Sequence, residues 1–331
     1  MISCSRCKKK SVYYNREEKR EYCEEHFCKW FEKRIEDTVI NLKNKKIAVY
    51  FSGGKDSVVL LYVLRKILNY NIIVLTADLG IKEHTDKIIK LGSEMCKKLG
   101  SSFYKVVLKK VINADIYSIV KEEGKDVACN YCGEIRNIGL DMASEKLKVD
   151  AYATGHNLDD VTRFLLNNYL KNDIFRITEF ACKVFPNPEI KEFINYEKPI
   201  QLKPLIYLNE KEITLYALIK EIEIIDSCCG ISDIEKSTMQ GWRSDLTKSI
   251  YYYENKYPGI SLKYIKNFEK NILPVFNELV VKNREAYKKR QCVFCKNEMN
   301  TVKKDIFLMC NQCSEKINLK YDFNKDWLVK I

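Results

Sequence analysis

The feature that most constrains the fold is a short apolar segment that leads directly into a glycine-rich loop and then into a helix. Residues 46–51 read Lys-Ile-Ala-Val-Tyr-Phe, a pattern that predicts a buried strand. The loop Ser52-Gly-Gly-Lys-Asp-Ser57 follows, and the apolar positions after it predict a helix through Leu68. Backbone N–H groups at such a turn, the helix dipole and the Lys55 ammonium all favour a bound anion. The segment therefore predicts a phosphate-binding loop, although the spacing of a Walker A motif is absent.

Strand-like and helix-like segments alternate after this loop. Strands are expected at 72–77, 103–108 and 151–154, and helices at 83–99, 132–147, 159–170, 239–257 and 261–281. Such alternation predicts a parallel sheet with helices on both faces and ligands at the carboxyl ends of its strands. Residues 171–204 contain four prolines and are expected to form an irregular loop. An amphipathic helix is expected at 27–41, before the first strand of the sheet.

The N-terminal cysteines have the spacing of a zinc site. Cys4-x-x-Cys7 is followed by Cys23-x-x-His26, so that each pair can supply two adjacent corners of a tetrahedron. Cys28 competes with His26 as the fourth ligand, and the spacing favours His26. Because a segment this polar cannot form much of a hydrophobic core, a bound metal would supply its folding free energy.

A second group near the other end of the chain repeats this pattern with four thiols. The pairs are Cys292 with Cys295 and Cys310 with Cys313. Two C-x-x-C pairs at this separation predict a second zinc ribbon or knuckle.

A third cysteine pair, Cys129 and Cys132, lacks a partner pair nearby in the sequence. Two adjacent cysteines, Cys228 and Cys229, lie far downstream. Two thiols plus one distant thiol suit a [4Fe-4S] cluster with one iron left open. From the residues alone, a redox pair and half of a zinc site remain equal alternatives.

Composition restricts the class of partner and the compartment. The chain has 331 residues, a formal charge of +12 and fourteen cysteines. A positive charge spread along the whole length suits polyanionic partners, of which nucleic acid is the commonest, and charge alone leaves a merely solvated lysine surface as an equal alternative. The first residues contain no apolar signal core, and no apolar run is long enough to cross a membrane. We therefore expect a cytoplasmic protein with no membrane association, whose cysteines are metal ligands rather than disulfides.

Taken together, these motifs resemble the TtcA/TtuA family of PP-loop tRNA 2-thiolation enzymes, which is related to the wobble-uridine thiolases of archaea and eukaryotes. The motifs that carry the resemblance are Ser52–Ser57, Cys129-x-x-Cys132-Gly133, Thr154-Gly-His-Asn-Leu-Asp-Asp160 and the cysteine groups at both ends. The implied fold is α/β: a parallel-sheet PP-loop domain of the N-type ATP pyrophosphatase class, flanked by small N- and C-terminal zinc-binding modules. The implied parts are an N-terminal zinc finger (1–28), a linker helix (29–45), the catalytic domain with the iron–sulfur site (46–285) and a C-terminal zinc ribbon (286–331).

The resemblance implies a tRNA-uridine 2-sulfurtransferase. The enzyme would adenylate uridine O2, release pyrophosphate and replace the oxygen with sulfur, with ATP, Mg²⁺, a [4Fe-4S] cluster and two Zn²⁺. Its partners would be tRNA and a sulfur donor, which is sulfide, a desulfurase or a ubiquitin-like thiocarboxylate protein. The target, a T-loop or a wobble uridine, stays open, as does a homodimer. Alternative functions are other PP-loop acceptor chemistry, such as lysidine or amide formation, and a non-catalytic zinc-containing RNA-binding ATP sensor.

Site residues are implied position by position. The positions that match ATP contacts are Tyr50, Ser52, Gly53, Gly54, Lys55, Asp56, Ser57, Ala77, Arg136 and Gly155. The positions that match catalytic residues are Lys55, Asp56 and Asp160. Asp159 is expected to cap the following helix, and His156 is open to a catalytic or a structural interpretation.

The cluster ligands implied by the resemblance are Cys129, Cys132 and Cys229. Family members have a single cysteine followed by proline near the third position, whereas this chain reads Cys228-Cys229-Gly230. A gapless alignment onward to Ser237 selects Cys229, with Cys228 as the alternative.

Overall fold

The computed structural model describes residues 2–80, 82–112, 125–185, 199–224, 240–282, 290–291, 298–299 and 327–331. Strands lie at β1 Tyr13–Asn15, β2 Arg20–Tyr22, β3 Lys46–Tyr50, β4 Asn71–Asp78, β5 Ser102–Val107, β6 Ala151–Thr154, β7 Ile200–Leu202, β8 Arg290–Gln291, β9 Glu298–Met299 and β10 Leu328–Lys330. Helices lie at α1 Glu24–Val39, α2 Lys55–Tyr62, α3 Lys82–Leu99, α4 Leu108–Ile112, α5 Lys125–Lys146, α6 Leu158–Leu170, α7 Ile174–Val184, α8 Glu210–Ile219, α9 Gln240–Lys256, α10 Ile260–Asn267 and α11 Leu273–Lys282. Short 3₁₀ or π segments extend α1, α2 and α10 at Ile40–Leu42, Val63–Ile67 and Phe268–Ile272.

The central sheet has the strand order β10-β5-β4-β3-β6-β7. Strands β5, β4, β3, β6 and β7 are parallel, as the alternation of elements predicts. Strand β3 lies between β4 and β6, and a hydrophobic core packs on each of its faces. Ile47 and Val49 enter one core and Ala48 and Tyr50 the other, which explains why its apolar residues are continuous rather than alternating. The loop after β3 therefore lies at the middle of the carboxyl edge of the sheet, where α/β folds bind ligands.

Each face of the sheet has its own hydrophobic core. On one face, β3 and β4 pack with α1, α2, α3 and α8. On the other face, they pack with α4, α5 and Trp327. A third cluster joins α6 and α7 to the helical segment that runs from Ile260 to Lys282. No helix of the described part of the chain has both the length and the apolar character needed to cross a membrane.

The prediction of an irregular loop over 171–204 is wrong for two segments of it. Helix α7 occupies Ile174–Val184 and begins at Asp173, whose side chain accepts a hydrogen bond from the backbone N–H of Arg176. Strand β7 then pairs with β6. Pro199 immediately precedes β7 and Pro204 lies two residues beyond it, positions where a missing backbone N–H does not interrupt the pairing of the strand.

The helix expected between the zinc finger and the sheet is part of the domain core. Phe27, Phe31 and Ile35, spaced by four residues along α1, are fully buried. The Phe31 ring stacks on Tyr216 of α8 with 4.2 Å between ring centroids. The first helix thus fixes the N-terminal segment rigidly against the rest of the chain.

The end of the chain contributes to the central sheet. Strand β10 pairs with β5 in the antiparallel direction, and Trp327 just before it is buried against α5. The Lys146 ammonium lies 4.6 Å from the centroid of the Trp327 ring. This contact joins segments that are far apart in the sequence. The prediction of a C-terminal ribbon over 286–331 does not include it.

Candidate active site

The glycine-rich loop is held in shape by two serine hydroxyls. Ser57 Oγ donates to the carbonyl oxygen of Gly54 at 2.9 Å and accepts from the backbone N–H of Ser52 at 3.2 Å. Ser52 Oγ lies 3.2 Å from Ser57 Oγ and 3.4 Å from the Gly54 nitrogen. Gly53 has φ = 76°, a left-handed conformation that glycine adopts without steric cost. The predicted cradle is thus a preformed turn at the N-terminus of α2, where backbone N–H groups favour an anion.

Gly155 is required by a contact between two elements. A Cβ atom at this position would lie 2.9 Å from the backbone nitrogen of Ser57 and 3.0 Å from the carbonyl carbon of Asp56. Because both are backbone atoms, neither can move aside cheaply. The turn after β6 therefore packs directly on the first turn of α2, which brings the two motifs into one site.

Lys55 is held by α8. Its ammonium lies 3.0 Å from Glu210 Oε1 and donates to Thr214 Oγ1 at 2.9 Å. Glu210 is itself oriented by the Tyr251 hydroxyl, which donates to it at 2.7 Å. An incoming phosphate would compete with Glu210 for the ammonium. Sequence reasoning missed this partner because 155 residues separate the two side chains.

Asp56 is a buried carboxylate of the site. Its Oδ2 accepts from Asn157 Nδ2 at 3.2 Å, whereas Oδ1, among the described residues, is buried without a hydrogen-bond partner. Burial raises the pKa of Asp56 to about 6, and the negative charges of Asp160 and Glu210 act in the same direction. A buried carboxylate oxygen with no donor suits a hard divalent cation such as Mg²⁺.

Asp160 lies at the start of α6, in a network that the sequence did not indicate. Asn157 caps the helix: its side chain accepts from the Asp160 backbone N–H at 3.0 Å, and Asp160 Oδ2 accepts in return from the Asn157 backbone at 3.3 Å. Arg163 donates to Asp160 Oδ1 at 2.6 Å. The prediction that Asp159 caps this helix is wrong, because Asp159 instead accepts from the backbone N–H of Glu210 at 2.8 Å. Burial raises the pKa of Asp159.

His156 is exposed and lies against a buried lysine. Its Nδ1 is 2.9 Å from Thr154 Oγ1 and 3.1 Å from the ammonium of Lys203. The charge of Lys203 is the main reason that the pKa of His156 lies well below its usual range, and the charges of Arg136 and Arg163 act in the same sense. Arg136, one turn beyond Cys132 on α5, is exposed and close enough to influence this ring.

Tyr50 and Ala77 lie near the carboxyl ends of β3 and β4. The Tyr50 side chain is buried on the α5 side, where its hydroxyl bonds to Asp141 at 3.1 Å and its ring stacks on Tyr152. Any contact of Tyr50 with a nucleoside would therefore be made by its backbone, as the resemblance implies.

The expected cluster ligands are only partly described. Cys129 and Cys132 lie in α5, which begins earlier than the expected residue 132. Cys132 is half-buried. Cys228 and Cys229 lie outside the described residues. As the helix between parallel strands, α5 runs back along the sheet, so its N-terminal half lies towards the carboxyl edge.

The N-terminal ligand set forms a compact metal-binding geometry. The ligand atoms of Cys4, Cys7, Cys23 and His26 lie within 4.8 Å of one another. The Cys7 and Cys23 sulfurs are 3.6 Å apart, and His26 Nδ1 lies 3.4, 3.5 and 3.3 Å from the three sulfurs. Tetrahedral zinc, with Zn–S near 2.3 Å and Zn–N near 2.0 Å, requires S···S of about 3.8 Å and S···N of about 3.5 Å. The four groups fit zinc.

Cys28 is not part of this set. It is buried in the core with Phe27 and Phe31, and burial raises its pKa to about 11. The second predicted set, Cys292, Cys295, Cys310 and Cys313, lies outside the described residues.

A large basic cleft opens beside the zinc-site helix. It has a volume of about 800 Å³ and lies between α1 and the segment formed by α7, β7 and α10. Its basic lining residues are Arg6, Lys29, Lys33, Arg34, Lys203 and Lys266. Trp30, Phe185 and Tyr207 add aromatic rings, and the Arg34 guanidinium lies 4.9 Å from the centroid of the Trp30 ring.

Comparison with known proteins identifies the family. A family model described as a PP-loop domain matches residues 15–226. The tRNA-5-methyluridine(54) 2-sulfurtransferase of Pyrococcus horikoshii is 30% identical over 308 residues, which span 89% of this chain and 93% of that protein. The cytoplasmic tRNA 2-thiolation protein 1 of Candida albicans is 31% identical over 69% of this chain and 58% of that protein.

A solved structure agrees with these relatives. The U34-tRNA thiolase NcsA of Methanococcus maripaludis, solved with its [4Fe-4S] cluster, superposes with a TM-score of 0.67 at 27% identity, and the match covers 85% of this chain and 89% of that one. The phosphate loop, the motif that packs on it and the N-terminal ligand set thus occur in a chain related to these proteins over most of its length. The chain belongs to the PP-loop family of tRNA 2-thiolation proteins.

Proposed function

We propose that this protein is an ATP-dependent tRNA 2-sulfurtransferase that adenylates uridine O2 and then exchanges this oxygen for sulfur. The observation that carries the proposal is the convergence of the nucleotide loop with the motif after β6. Gly155 packs on the backbone of Ser57, and Asn157 bonds to Asp56. The charge of Arg136 on the cysteine-bearing helix α5 acts on His156 of the same motif, which supports a common site for ATP and sulfur chemistry.

In the first step, uridine O2 forms a bond to the α-phosphorus of ATP and pyrophosphate leaves. The backbone N–H groups of the Ser52–Ser57 loop receive the departing phosphates, and Lys55 moves from Glu210 to them. Asp160, held in one orientation by Arg163 and Asn157, takes the N3 proton of the uridine. Asp56 would hold Mg²⁺, which when bound neutralises phosphate charge.

In the second step, hydrosulfide adds to C2, the C2–O bond breaks and AMP leaves with the oxygen. The proton of the hydrosulfide moves from sulfur to N3, and the base becomes the 2-thione. Cys129, Cys132 and Cys229, or Cys228 if the register differs by one, would hold a [4Fe-4S] cluster, which when bound offers an iron site for the sulfur nucleophile. The half-buried Cys132 on a helix directed at this edge of the sheet supports that assignment.

We further propose that the cleft beside α1 binds tRNA. Six basic side chains outnumber three acidic ones in its lining, and its aromatic rings can stack on unpaired bases. Affinity for tRNA should fall steeply with salt as phosphate contacts are lost. Zinc at Cys4, Cys7, Cys23 and His26 would hold this wall of the cleft in place, and a second zinc at the C-terminal cysteines remains a prediction. The name of the Candida relative supports a cytoplasmic protein.

The test is anaerobic reconstitution followed by nucleoside mass spectrometry of tRNA incubated with ATP, Mg²⁺ and sulfide. We expect about four irons per chain, AMP formation that depends on tRNA, and 2-thiouridine in the product. Lys55→Ala and Asp160→Ala should retain metals and tRNA binding but fail to adenylate. Mass spectrometry of tRNA fragments then shows whether the thiolated uridine lies at tRNA position 54 or at position 34. A lysidine or amide product, or ATP binding without AMP formation, would reject the proposal.

A further inference from the structure

The register of the sheet brings a buried lysine to the edge of the nucleotide site. Strands β6 and β7 are parallel, and Ala153 is paired with Leu202. The next residues along both strands, Thr154 and Lys203, are therefore neighbours at the carboxyl edge. Both are buried, with 7% and 8% of their surfaces exposed, and the Lys203 ammonium lies 3.4 Å from Thr154 Oγ1. A buried ammonium at this edge is costly and calls for a role.

The contact between this lysine and His156 determines where the imidazole proton lies. An ammonium has three donors and no acceptor, so its 3.1 Å approach to Nδ1 requires a lone pair on that nitrogen. The single proton of the neutral ring must then be on Nε2. Thr154 Oγ1, 2.9 Å from Nδ1, is compatible with the same assignment, because its hydroxyl can accept from Lys203 and share the single Nδ1 lone pair as a second donor.

Charged groups from several elements keep this ring neutral. Lys203 follows β7, Arg136 lies on α5 and Arg163 lies on α6, and all three disfavour a second proton on His156. The electrostatic effect and the hydrogen-bond geometry thus agree on one form of the side chain.

We propose that Lys203 is a positioning residue that locks His156 as the Nε2–H tautomer, and that His156 donates this proton in a hydrogen bond to a phosphoryl oxygen of the bound nucleotide. The acceptor follows from the position: Gly155, the preceding residue, packs on the Ser57 nitrogen of the phosphate loop. His156 itself is exposed, so the ring is open to a ligand. The identity of the nucleotide reaction in this inference rests on the proposed function. The tautomer of His156 is inferred from the geometry and does not depend on that function.

The geometry excludes a general-base role for His156. One ring nitrogen faces the ammonium and the other carries the proton, so neither has a free lone pair. The residue instead supplies a neutral donor, which stabilises charge that develops on phosphate without a proton leaving the ring.

The tautomer can be measured directly, because the chain has only three histidines, at positions 26, 84 and 156. Long-range ¹H–¹⁵N spectra of histidine-labelled protein, assigned with His84→Gln and His156→Gln, should show His156 neutral with its proton on Nε2 at pH 6.5 and above. In Lys203→Met the pKa of the ring should rise towards its ordinary value, while burial and the charges of Arg136 and Arg163 still hold it below that value. Lys203→Arg should restore the wild-type pattern. An Nδ1–H form, or an imidazolium at pH 6.5 in the wild type, would overturn the proposal without recourse to any variant.

Activity provides the second measurement. The amide N–H of glutamine can replace the Nε2–H donor, whereas asparagine reaches only the Nδ1 position. We expect single-turnover AMP formation to fall by about 100-fold in His156→Asn and by about 10-fold or less in His156→Gln, in line with the loss of one transition-state donor. Equal loss in both variants, or loss confined to the acid limb of the pH profile, would contradict a donor role.

The tautomer measurement and the activity measurement together separate this inference from the proposed function. If tRNA were not thiolated but the Nε2–H tautomer and its dependence on Lys203 were observed, the proposed function would fail and the assignment of the ring would stand. If thiolation were observed with a protonated His156, the reverse would hold.

Discussion

At the scale of single residues, Asp56 shows how the site balances folding against binding. Its carboxylate is buried beside two other acidic groups and has an oxygen without a donor. Burial favours the protonated form of this carboxyl group in the free protein. When a cation binds, the ionised form becomes its ligand. Stability and function therefore make opposite demands on the same side chain.

The pH dependence of stability should reveal this conflict. The pKa of Asp56 is raised from 3.8 to about 6 in the folded state, so its stabilising contribution is present below 3.8 and is lost as the pH rises through 6. Asp56→Asn should therefore be more stable than wild type at pH 7, with a difference that grows between pH 4 and 6 and then levels off. Urea unfolding of the metal-free protein measures this. Asp245→Asn, at an exposed position, is the control and should show no such trend.

The same variant should fail to hold Mg²⁺–ATP. Asparagine retains the bond from Asn157 but presents no anionic oxygen, so we expect AMP formation to fall by at least about 100-fold, the range seen when a charged transition-state contact is removed. Wild-type turnover in Asp56→Asn would remove this carboxylate from the catalytic set.

Gly155 offers a second residue-scale prediction. The alanine methyl would lie 2.9 Å from a backbone nitrogen, so Gly155→Ala should lower the free energy of unfolding by about 1–3 kcal/mol, as other overpacked sites do. Gly133→Ala is a matched control, since its Cβ would meet nothing within 4 Å on a helix, where alanine is favoured over glycine by up to about 1 kcal/mol. Thermal unfolding of both variants without ligands compares them. Equal effects would mean that the packing of Gly155 on α2 is looser than described.

At the scale of elements, the N-terminal segment combines a metal site with a core helix. Tyr13 of β1 donates to Glu212 of α8, and burial raises the pKa of that carboxyl to about 7. The same helix α8 carries Glu210 and Thr214, which hold Lys55. A single helix thus contacts both the zinc-site hairpin and the phosphate loop.

Cys4 and Cys28 distinguish the two roles of this segment. Cys4→Ser should lose about one zinc per chain, because it removes one of four converging ligand atoms. Cys28→Ser should keep the zinc but lower stability, because it places a hydroxyl among Phe27 and Phe31 in the core. Elemental analysis and urea unfolding measure the two properties. Zinc loss in Cys28→Ser with retention in Cys4→Ser would exchange the assignments.

At the scale of the whole molecule, the C-terminal residues close one edge of the central sheet. Trp327 is 4% exposed, so Trp327→Ala should lower the free energy of unfolding of the central domain by about 3–5 kcal/mol. Val329→Ala, at a position that is 36% exposed on the adjacent strand, should cost less than about 1 kcal/mol. Unfolding followed by tryptophan-independent circular dichroism compares the variants. A central domain unaffected by Trp327→Ala would show that these residues belong to a separate module.

The sequence by itself determined the phosphate loop, the parallel alternation and the N-terminal ligand set. Each of these depends on residues close together in the chain: Gly53 supplies its own turn, Ser57 bonds within its own loop, and Cys23 and His26 are separated by one helical turn. Local geometry follows from local sequence because few conformations of a short segment satisfy its hydrogen bonds.

Only the tertiary structure decided which distant side chains meet. Three examples depend on strand register and helix packing. They are the pairing of Lys55 with Glu210, the strand β7 within a proline-rich segment and the contact of Lys203 with His156. A shift of one residue in the pairing of β6 with β7 would turn Lys203 to the opposite face of the sheet. That register is set by burial of the whole sheet, which no single motif encodes.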